Sequence, residues 1–155
     1  MIKTAILTVS STRTEKNDES GKVLKEILTD DFEIIEYDIV NDDENSIIEQ
    51  LNFYCDSQKA DLVLTNGGTG FSESDITPEA TIKVADKIVP GISELIRAEG
   101  IKITKRAALS RGISALKGTT LIINLPGSPK GAKESLEAII DLLPHAIKMI
   151  NGGGH

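Results

Sequence analysis

Three stretches of the chain are apolar at nearly every position, and this predicts strands that are buried on both faces. They cover residues 4–9, 60–65 and 119–124, and such runs are typical of a parallel sheet with helices on both sides. Residues 32–40 alternate more weakly and predict a fourth strand, and residues 101–109 predict a fifth. The predicted sheet therefore draws on most of the chain.

Between these strands, apolar residues recur at the spacing of one helix face. One such stripe covers residues 23–28, and another covers residues 47–55 behind a predicted cap at Asp42 or Asp43. Strands that alternate with helices are typical of an α/β domain. We therefore predict a three-layer α/β/α sandwich with a mostly parallel central sheet.

Proline marks the starts of the later helices. Residues 77–79 have the pattern of a cap, a proline at the first helical position and an acid in the first turn. Ser128 and Pro129 repeat the cap and the proline. Pro144 is expected to kink or restart the last helix, because proline cannot donate a helical hydrogen bond.

The bulk composition narrows the classes of protein. A chain of 155 residues fits one domain, which we place at residues 1–150, with a disordered tail predicted at residues 151–155. The formal net charge of -7 argues against a general nucleic-acid-binding protein, which would present a basic face. No apolar run approaches the length of a membrane span.

The cysteine and histidine content indicates neither disulfides nor a metal or catalytic site. Cys55 is the only cysteine, so there is no disulfide framework, and the start of the chain lacks the layout of a signal peptide. We therefore expect a cytoplasmic protein that does not bind membranes. Cys55 falls on an apolar stripe and is expected to be a packed thiol. His145 has no partner at metal-site spacing, so neither zinc nor Ser-His-Asp chemistry is supported.

A glycine-rich loop with the sequence Asn-Gly-Gly-Thr-Gly, residues 66–70, directly follows the second buried run. Glycines let backbone amides approach a ligand closely, and successive amides form an anion-binding concavity. In open α/β sheets, ligands lie beyond the carboxyl ends of the strands. The loop matches neither the Walker motif nor the dinucleotide fingerprint, and taken alone such a loop is more often only a turn.

A second loop, residues 125–131, also joins a buried run to a helix start. Ser128 as the cap, the free amides behind it and the nearby Lys130 make a phosphate site. A capped helix with a solvated lysine is an equally good interpretation of this loop alone.

Charged side chains accompany both loops. Three acidic residues either hold magnesium, which takes oxygen ligands and bridges to substrate phosphates, or merely cap and flank helices: Asp42, Asp43 and Asp75. Arg97 and Arg111 either clamp a phosphate bidentately or lie on the surface. Ser110 and Arg111 follow the fifth predicted strand, which would place them near a strand end.

These loops belong to a longer series of motifs, in order along the chain: residues 8–10, 42–43, 66–71, 75–81, 90–91, 94, 109–111, 121–128 and 143–147. The series resembles the molybdopterin adenylyltransferase family, which includes the molybdenum-cofactor biosynthesis B proteins and the gephyrin G domain. The likeness covers roughly residues 3–150.

The resemblance implies a homotrimer and a reaction in which ATP and molybdopterin give adenylylated molybdopterin and pyrophosphate. Asp42 and Asp75 then match the two functional aspartates, which act in catalysis together with Mg²⁺. The nucleotide-binding residues that it implies are Ser10, Gly67, Gly68, Thr69 and Gly70. The molybdopterin-binding residues that it implies are Thr77, Ser110, Arg111, Pro126, Gly127, Ser128 and Lys130. The same pathway implies transient contact with molybdopterin synthase or molybdenum insertase.

Two positions depart from the pattern of many members of this family. Ser11 stands where an aspartate follows the serine of the first motif, and Ser74 stands where a basic residue precedes the second aspartate. Some members lack adenylylation activity, so a molybdopterin-binding protein of the same pathway is the alternative. A trimeric scaffold and a nucleotide pyrophosphatase fit less well, because related proteins of both kinds carry additional sequence.

Overall fold

The computed structural model describes residues 1–154, and its centre is a six-stranded sheet. The strands are β1 (Ile2–Val9), β2 (Phe32–Val40), β3 (Leu62–Asn66), β4 (Lys87–Ile88), β5 (Ser114–Lys117) and β6 (Thr120–Leu125). They lie in the order β2-β1-β3-β6-β5-β4. The pairs β1–β2, β1–β3 and β3–β6 are parallel, whereas β4 and β5 form an antiparallel edge. The prediction of a mostly parallel sheet is confirmed.

Within residues 1–154, six α-helices connect and cover the strands. They are α1 (Glu19–Ile27), α2 (Glu44–Asn52), α3 (Thr77–Val84), α4 (Pro90–Ile101), α5 (Pro129–Ile139) and α6 (Leu143–Ile150). A π-helical turn, Phe53–Ser57, extends α2, and a short 3-10 helix, Lys105–Leu109, follows α4. Pro144 lies in the first turn of α6, so the predicted restart of the last helix is confirmed.

The sheet separates two hydrophobic cores, because successive residues of a strand point to opposite faces. Ile6 and Leu64 belong to the core that α1, α4, α5 and α6 cover. Their neighbours Leu7 and Val63 belong to the core that α2 and α3 cover. The predicted three-layer sandwich is therefore confirmed, and Cys55 is packed in the second core as expected.

The strand predicted at residues 101–109 is wrong. Ile101 ends α4, and the backbone amides of Ile103 and Thr104 both donate to the Gly100 carbonyl, which turns the chain into the 3-10 helix. Ile101 and Ile103 are 46% and 56% exposed, so these apolar residues do not mark a buried strand. Ser110 consequently follows a 3-10 helix, and not a strand end.

The first residues after α6 are hydrogen-bonded to its last turn. The amides of Gly152 and Gly153 donate to carbonyls of the last turn of α6, and His155, also part of the predicted tail, lies outside the described residues. Within residues 1–154, no helix has the length and apolar content needed to cross a membrane.

Candidate functional site

The predicted site residues come from loops at one edge of the sheet. The parallel strands β1, β2, β3 and β6 all end there, so the loops that follow them are neighbours. Strand pairing continues into these loops: the Ser10 amide donates to the Val40 carbonyl at 2.8 Å, and the Gly67 amide donates to the Leu125 carbonyl at 3.1 Å. This edge therefore carries segments from four distant parts of the chain.

The glycine loop after β3 has a backbone that only glycine adopts without strain. Gly67 has φ +97° and Gly68 has φ +72°, both in the left-handed region. A Cβ atom on Gly67 would overlap the Val9 carbonyl oxygen, and one on Gly68 would overlap Thr77 Oγ1. The loop is therefore packed directly on the end of β1 and on the start of α3.

Thr77 holds the glycine loop through two hydrogen bonds. Its Oγ1 donates to the Gly67 carbonyl at 2.9 Å, and its backbone amide donates to the Gly68 carbonyl at 3.1 Å. The side chain has no exposed surface. Thr77 is the first residue of α3 and not its cap, which corrects the prediction from residues 77–79, because Ile76 precedes the helix without a side-chain cap.

Arg111 holds the glycine loop from the other side. Its Nε donates to the Gly70 carbonyl at 2.7 Å, and its Nη2 donates to the Asp75 carbonyl at 2.7 Å. Both Nη atoms also bind the Glu79 carboxylate, at 2.7 and 3.1 Å. Hydrogen bonding to Arg111 lowers the pKa of Glu79, and the same bond raises the pKa of Arg111. Four N–H groups of this guanidinium are thus used within the chain.

Asp42 is held by Ser11, the first of the two positions that depart from the family pattern. Asp42 Oδ2 accepts from the Ser11 amide at 3.1 Å and from Ser11 Oγ at 2.9 Å. The cap of α2 is the neighbouring residue Asp43, whose carboxylate accepts from the amide and hydroxyl of Ser46. Hydrogen bonding to Ser46 lowers the pKa of Asp43. Asp42 therefore does not cap α2, and the predicted cap is Asp43.

Asp75 is held in a similar way by Ser72. Its Oδ2 accepts from the Ser72 amide at 3.0 Å and from Ser72 Oγ at 2.8 Å. A Cβ atom on Gly70 would come within 2.8 Å of the same oxygen, so the carboxylate lies against the glycine loop. Ser74, the second departure, places its hydroxyl 3.1 Å from Ser72 Oγ.

The donor chemistry of the two aspartates suits Mg²⁺ that is shared with a phosphate substrate. Among residues 1–154, no group of three or more His, Cys, Asp or Glu side chains is arranged to hold a metal. Asp42 and Asp75 each have Oδ2 fixed by serine donors, which leaves Oδ1 for other ligands. Mg²⁺ commonly binds one or two carboxylates and takes its remaining ligands from phosphates and water.

A cleft of about 510 Å³ opens between the glycine loop and the loop after β6. Six of the predicted site residues line it: Thr69, Gly70, Ser110, Pro126, Ser128 and Lys130. Arg97 and Arg106 add positive charge to its wall. The other predicted site residues are not part of the lining: Ser10, Asp42, Gly67, Gly68, Asp75, Thr77, Arg111 and Gly127. The structure thus brings the end of the glycine loop and most of the expected molybdopterin-binding residues together around one cavity.

Ser128 begins α5 at this cleft. Its Oγ accepts from the Gly131 amide at 3.0 Å, so the predicted cap is confirmed. Lys130 is exposed and its ammonium lies 3.8 Å from Glu134, which leaves the charge available to an anion. Arg97 instead donates to the carbonyls of Ser110 and Gly112, which makes it a support of the cleft wall.

Sequence reasoning missed three residues beside this site: Arg13, Asp18 and Ser20. Arg13 and Ser20 both donate to the Gly127 carbonyl, at 2.6 Å each. Asp18 caps α1, which the spacing of an aspartate before the apolar stripe could have indicated. No local pattern indicates the contacts with Gly127, because they join residues more than a hundred positions apart.

Known proteins are similar to this chain over nearly its whole length. MoaB of Thermus thermophilus, a molybdopterin biosynthesis enzyme, superposes with a TM-score of 0.92 at 46% identity, covering 98% of each chain. A molybdopterin adenylyltransferase of Helicobacter pylori is 42% identical over 141 residues, which are 87% of this chain and 78% of that protein. The molybdenum cofactor synthesis protein cinnamon of Drosophila melanogaster is 41% identical over 149 residues, and the chain spans about a quarter of it, 25%.

The matching family model covers residues 5–145 and describes a probable molybdopterin-binding domain. It spans most of the chain, and the family that the motifs predict is thereby confirmed. The chain belongs to the molybdopterin-binding domain family of molybdenum cofactor biosynthesis, together with relatives that are molybdopterin adenylyltransferases.

Proposed function

We propose that the protein is a molybdopterin adenylyltransferase, which transfers adenylyl from ATP to the terminal phosphate of molybdopterin and releases pyrophosphate. The cleft between the glycine loop and the Ser128 loop carries this proposal, because the end of a glycine-rich loop and a helix N-terminus line it together, and both are backbone features that bind phosphate. Relatives at 36–42% identity that bear this enzyme name support it.

The molybdopterin phosphate is assigned to the start of α5. Ser128 caps α5 at the wall of the cleft, and the N-terminus of a helix stabilises an anion. Lys130, Ser110 and Pro126 line the same wall. Gly127 and Arg111 contribute indirectly: Gly127 is part of the loop backbone, and Arg111 places a positive charge behind the glycine loop and braces it.

The nucleotide phosphates are assigned to the glycine loop, Gly67 to Gly70, and to Ser10 at the end of β1. Asp42 and Asp75 would hold Mg²⁺, which when bound neutralises charge on the phosphates. Ser11 fixes Asp42 through two hydrogen bonds, so the departure from the family pattern at this position keeps the carboxylate oriented.

In the reaction, an oxygen of the molybdopterin phosphate attacks the α-phosphorus of ATP. The new P–O bond forms as the bond to the β-phosphate oxygen breaks, and pyrophosphate leaves with the electron pair. The residues of the chain position the two phosphates and compensate their charge, and no protein nucleophile is needed.

The test is to incubate the purified protein with molybdopterin, ATP and Mg²⁺ and to separate the products by chromatography. We expect adenylylated molybdopterin and pyrophosphate in equal amounts. Molybdopterin binding without any ATP-dependent product would identify the alternative, a binding protein of the same pathway. Hydrolysis of ATP or another nucleotide without molybdopterin would instead point to a pyrophosphatase.

The proposal extends to assembly and cellular context. We expect a homotrimer, on the strength of the family resemblance, so light scattering at micromolar concentration should give about three times the 16.7 kDa chain mass. A monodisperse monomer would contradict this.

The lone buried thiol of Cys55 fits a reducing cytoplasm. Transient contact with molybdopterin synthase or molybdenum insertase would pass the substrate in and the product on.

A further inference from the structure

Arg13 connects the loops that follow three neighbouring strands, and the chemistry proposed above makes no use of it. Its Nη2 donates to the Gly127 carbonyl at 2.6 Å, and its Nη1 donates to Asn66 Oδ1 at 3.5 Å. Arg13 itself lies in the loop after β1, Asn66 ends β3, and Gly127 follows β6. One guanidinium therefore joins the loop after β1 to the end of β3 and to the loop after β6.

Asp18 orients this guanidinium. Its carboxylate has no exposed surface and accepts from Thr8 Oγ1 at 2.6 Å, from Tyr37 Oη at 2.5 Å and from the Gly21 amide at 3.1 Å. Arg13 Nη1 lies 3.6 Å from Asp18 Oδ1. A buried carboxylate requires such partners. Since three neutral donors fix its position, Asp18 in turn fixes the direction of Arg13.

Ser20 completes the arrangement. It is buried at the start of α1, its Oγ donates to the Gly127 carbonyl at 2.6 Å, and Arg13 Nη1 lies 3.2 Å from the same Oγ. One carbonyl oxygen thus receives two donors. A Cβ atom on Gly127 would come within 3.1 Å of Gly67 Cα, so the held backbone lies directly against the glycine loop.

We propose that Asp18, Arg13 and Ser20 form a positioning unit that holds the backbone of residues 126–128 in the conformation that receives the molybdopterin phosphate. This rests on the proposed function. The Gly127 carbonyl and the Ser128 amide belong to one planar peptide unit, and the Lys130 amide follows two residues later, so fixing the carbonyl fixes where the Ser128 amide points. The unit touches no substrate and acts through the loop alone.

Arg13→Lys is the most informative variant. It keeps a positive charge beside Asp18, but an ammonium is a point donor and cannot reach Gly127 and Asn66 together as the planar fork does. If the loop is then ordered in about one molecule in ten, the apparent Kd for molybdopterin rises about tenfold. The KM for molybdopterin should rise in parallel while kcat changes little, because the lost binding energy is lost equally from the ground state and the transition state.

Amide hydrogen exchange over residues 124–131 provides a readout that does not depend on catalysis. Exchange there should accelerate in Arg13→Lys and, to a smaller extent, in Ser20→Ala, which removes one of the two donors without changing charge. Ser20→Ala should raise the molybdopterin Kd about threefold. Lys102→Ala is the matched control, because it removes an exposed cation that is paired with Glu99 away from the Gly127 carbonyl, and it should alter neither quantity.

Unchanged molybdopterin Kd and unchanged loop exchange in folded Arg13→Lys and Ser20→Ala, with only a lower melting temperature, would overturn the positioning role. If Arg13→Lys does not fold, Ser20→Ala decides alone by the same two measurements. A wild-type protein that binds molybdopterin but never adenylylates it would defeat the proposed function, while the Kd and exchange data would still decide on the positioning unit.

Discussion

Asp75→Asn is expected to lower the rate of adenylyl transfer at least about a hundredfold while molybdopterin binding persists. The amide oxygen of asparagine can still accept from the amide and hydroxyl of Ser72, so the loop keeps its shape. What disappears is the negative charge that would hold Mg²⁺ against the nucleotide phosphates. Steady-state kinetics, molybdopterin titration and thermal melts on the same preparation measure the three quantities, and Asp42→Asn should behave alike.

Asp43→Asn is the matched control for these variants. Asp43 is next to Asp42 in the chain, yet its exposed carboxylate caps α2, and asparagine is an equally good cap. The control removes the same charge at nearly the same place and should retain full activity. If Asp42→Asn and Asp75→Asn also retain full activity, the two aspartates have no catalytic role. If activity falls only in step with melting temperature, they are structural.

Gly67→Ala is expected to cost about 3 kcal/mol of the free energy of unfolding. The cost has two parts: a left-handed backbone that an L-residue adopts with strain, and an overlap of the new methyl with the Val9 carbonyl. For a domain of this size, the melting temperature should fall by about 10 °C. Urea denaturation should show a lower midpoint with an unchanged slope.

Gly118→Ala separates the two parts of that cost. Gly118 also has a positive φ, +56°, but a Cβ atom there would meet nothing within 4 Å. We expect only the strain, about 1 kcal/mol. Equal losses in the two variants would show that close packing of the glycine loop on β1 is not what makes glycine necessary at Gly67.

The buried strands were predictable because burial on both faces leaves no position for a polar pattern. β2 has the predicted bounds, and β1, β3 and β6 differ from the prediction by at most two residues at either end. The antiparallel edge formed by β4 and β5 was not predictable. β4 has only two residues, both exposed, and β5 begins with a buried serine whose hydroxyl lies 2.5 Å from that of Ser93. Neither strand has the apolar pattern that identified the others.

The candidate site also has a part that local sequence patterns predict and a part that they do not. The glycine loop and Ser128 have local signals, namely glycines after a strand and a cap before a proline. Arg111 was identified as a site residue, but its hydrogen bonds to Gly70 and Glu79 depend on tertiary contacts. No local sequence pattern identifies Arg13 as a site residue, because the carbonyl to which it donates lies 114 positions away in the chain.

The loops that form the site are far apart in the chain, and this affects the rate at which the domain folds. The first phosphate loop follows β3 and the second follows β6, while Arg13, which joins them, follows β1. The contacts by which Arg13 joins these loops are therefore long-range, and domains in which non-local contacts dominate fold slowly. No fragment of the chain would carry half of the binding function. A bound ligand would accordingly stabilise the entire cooperative unit and raise the free energy of global unfolding.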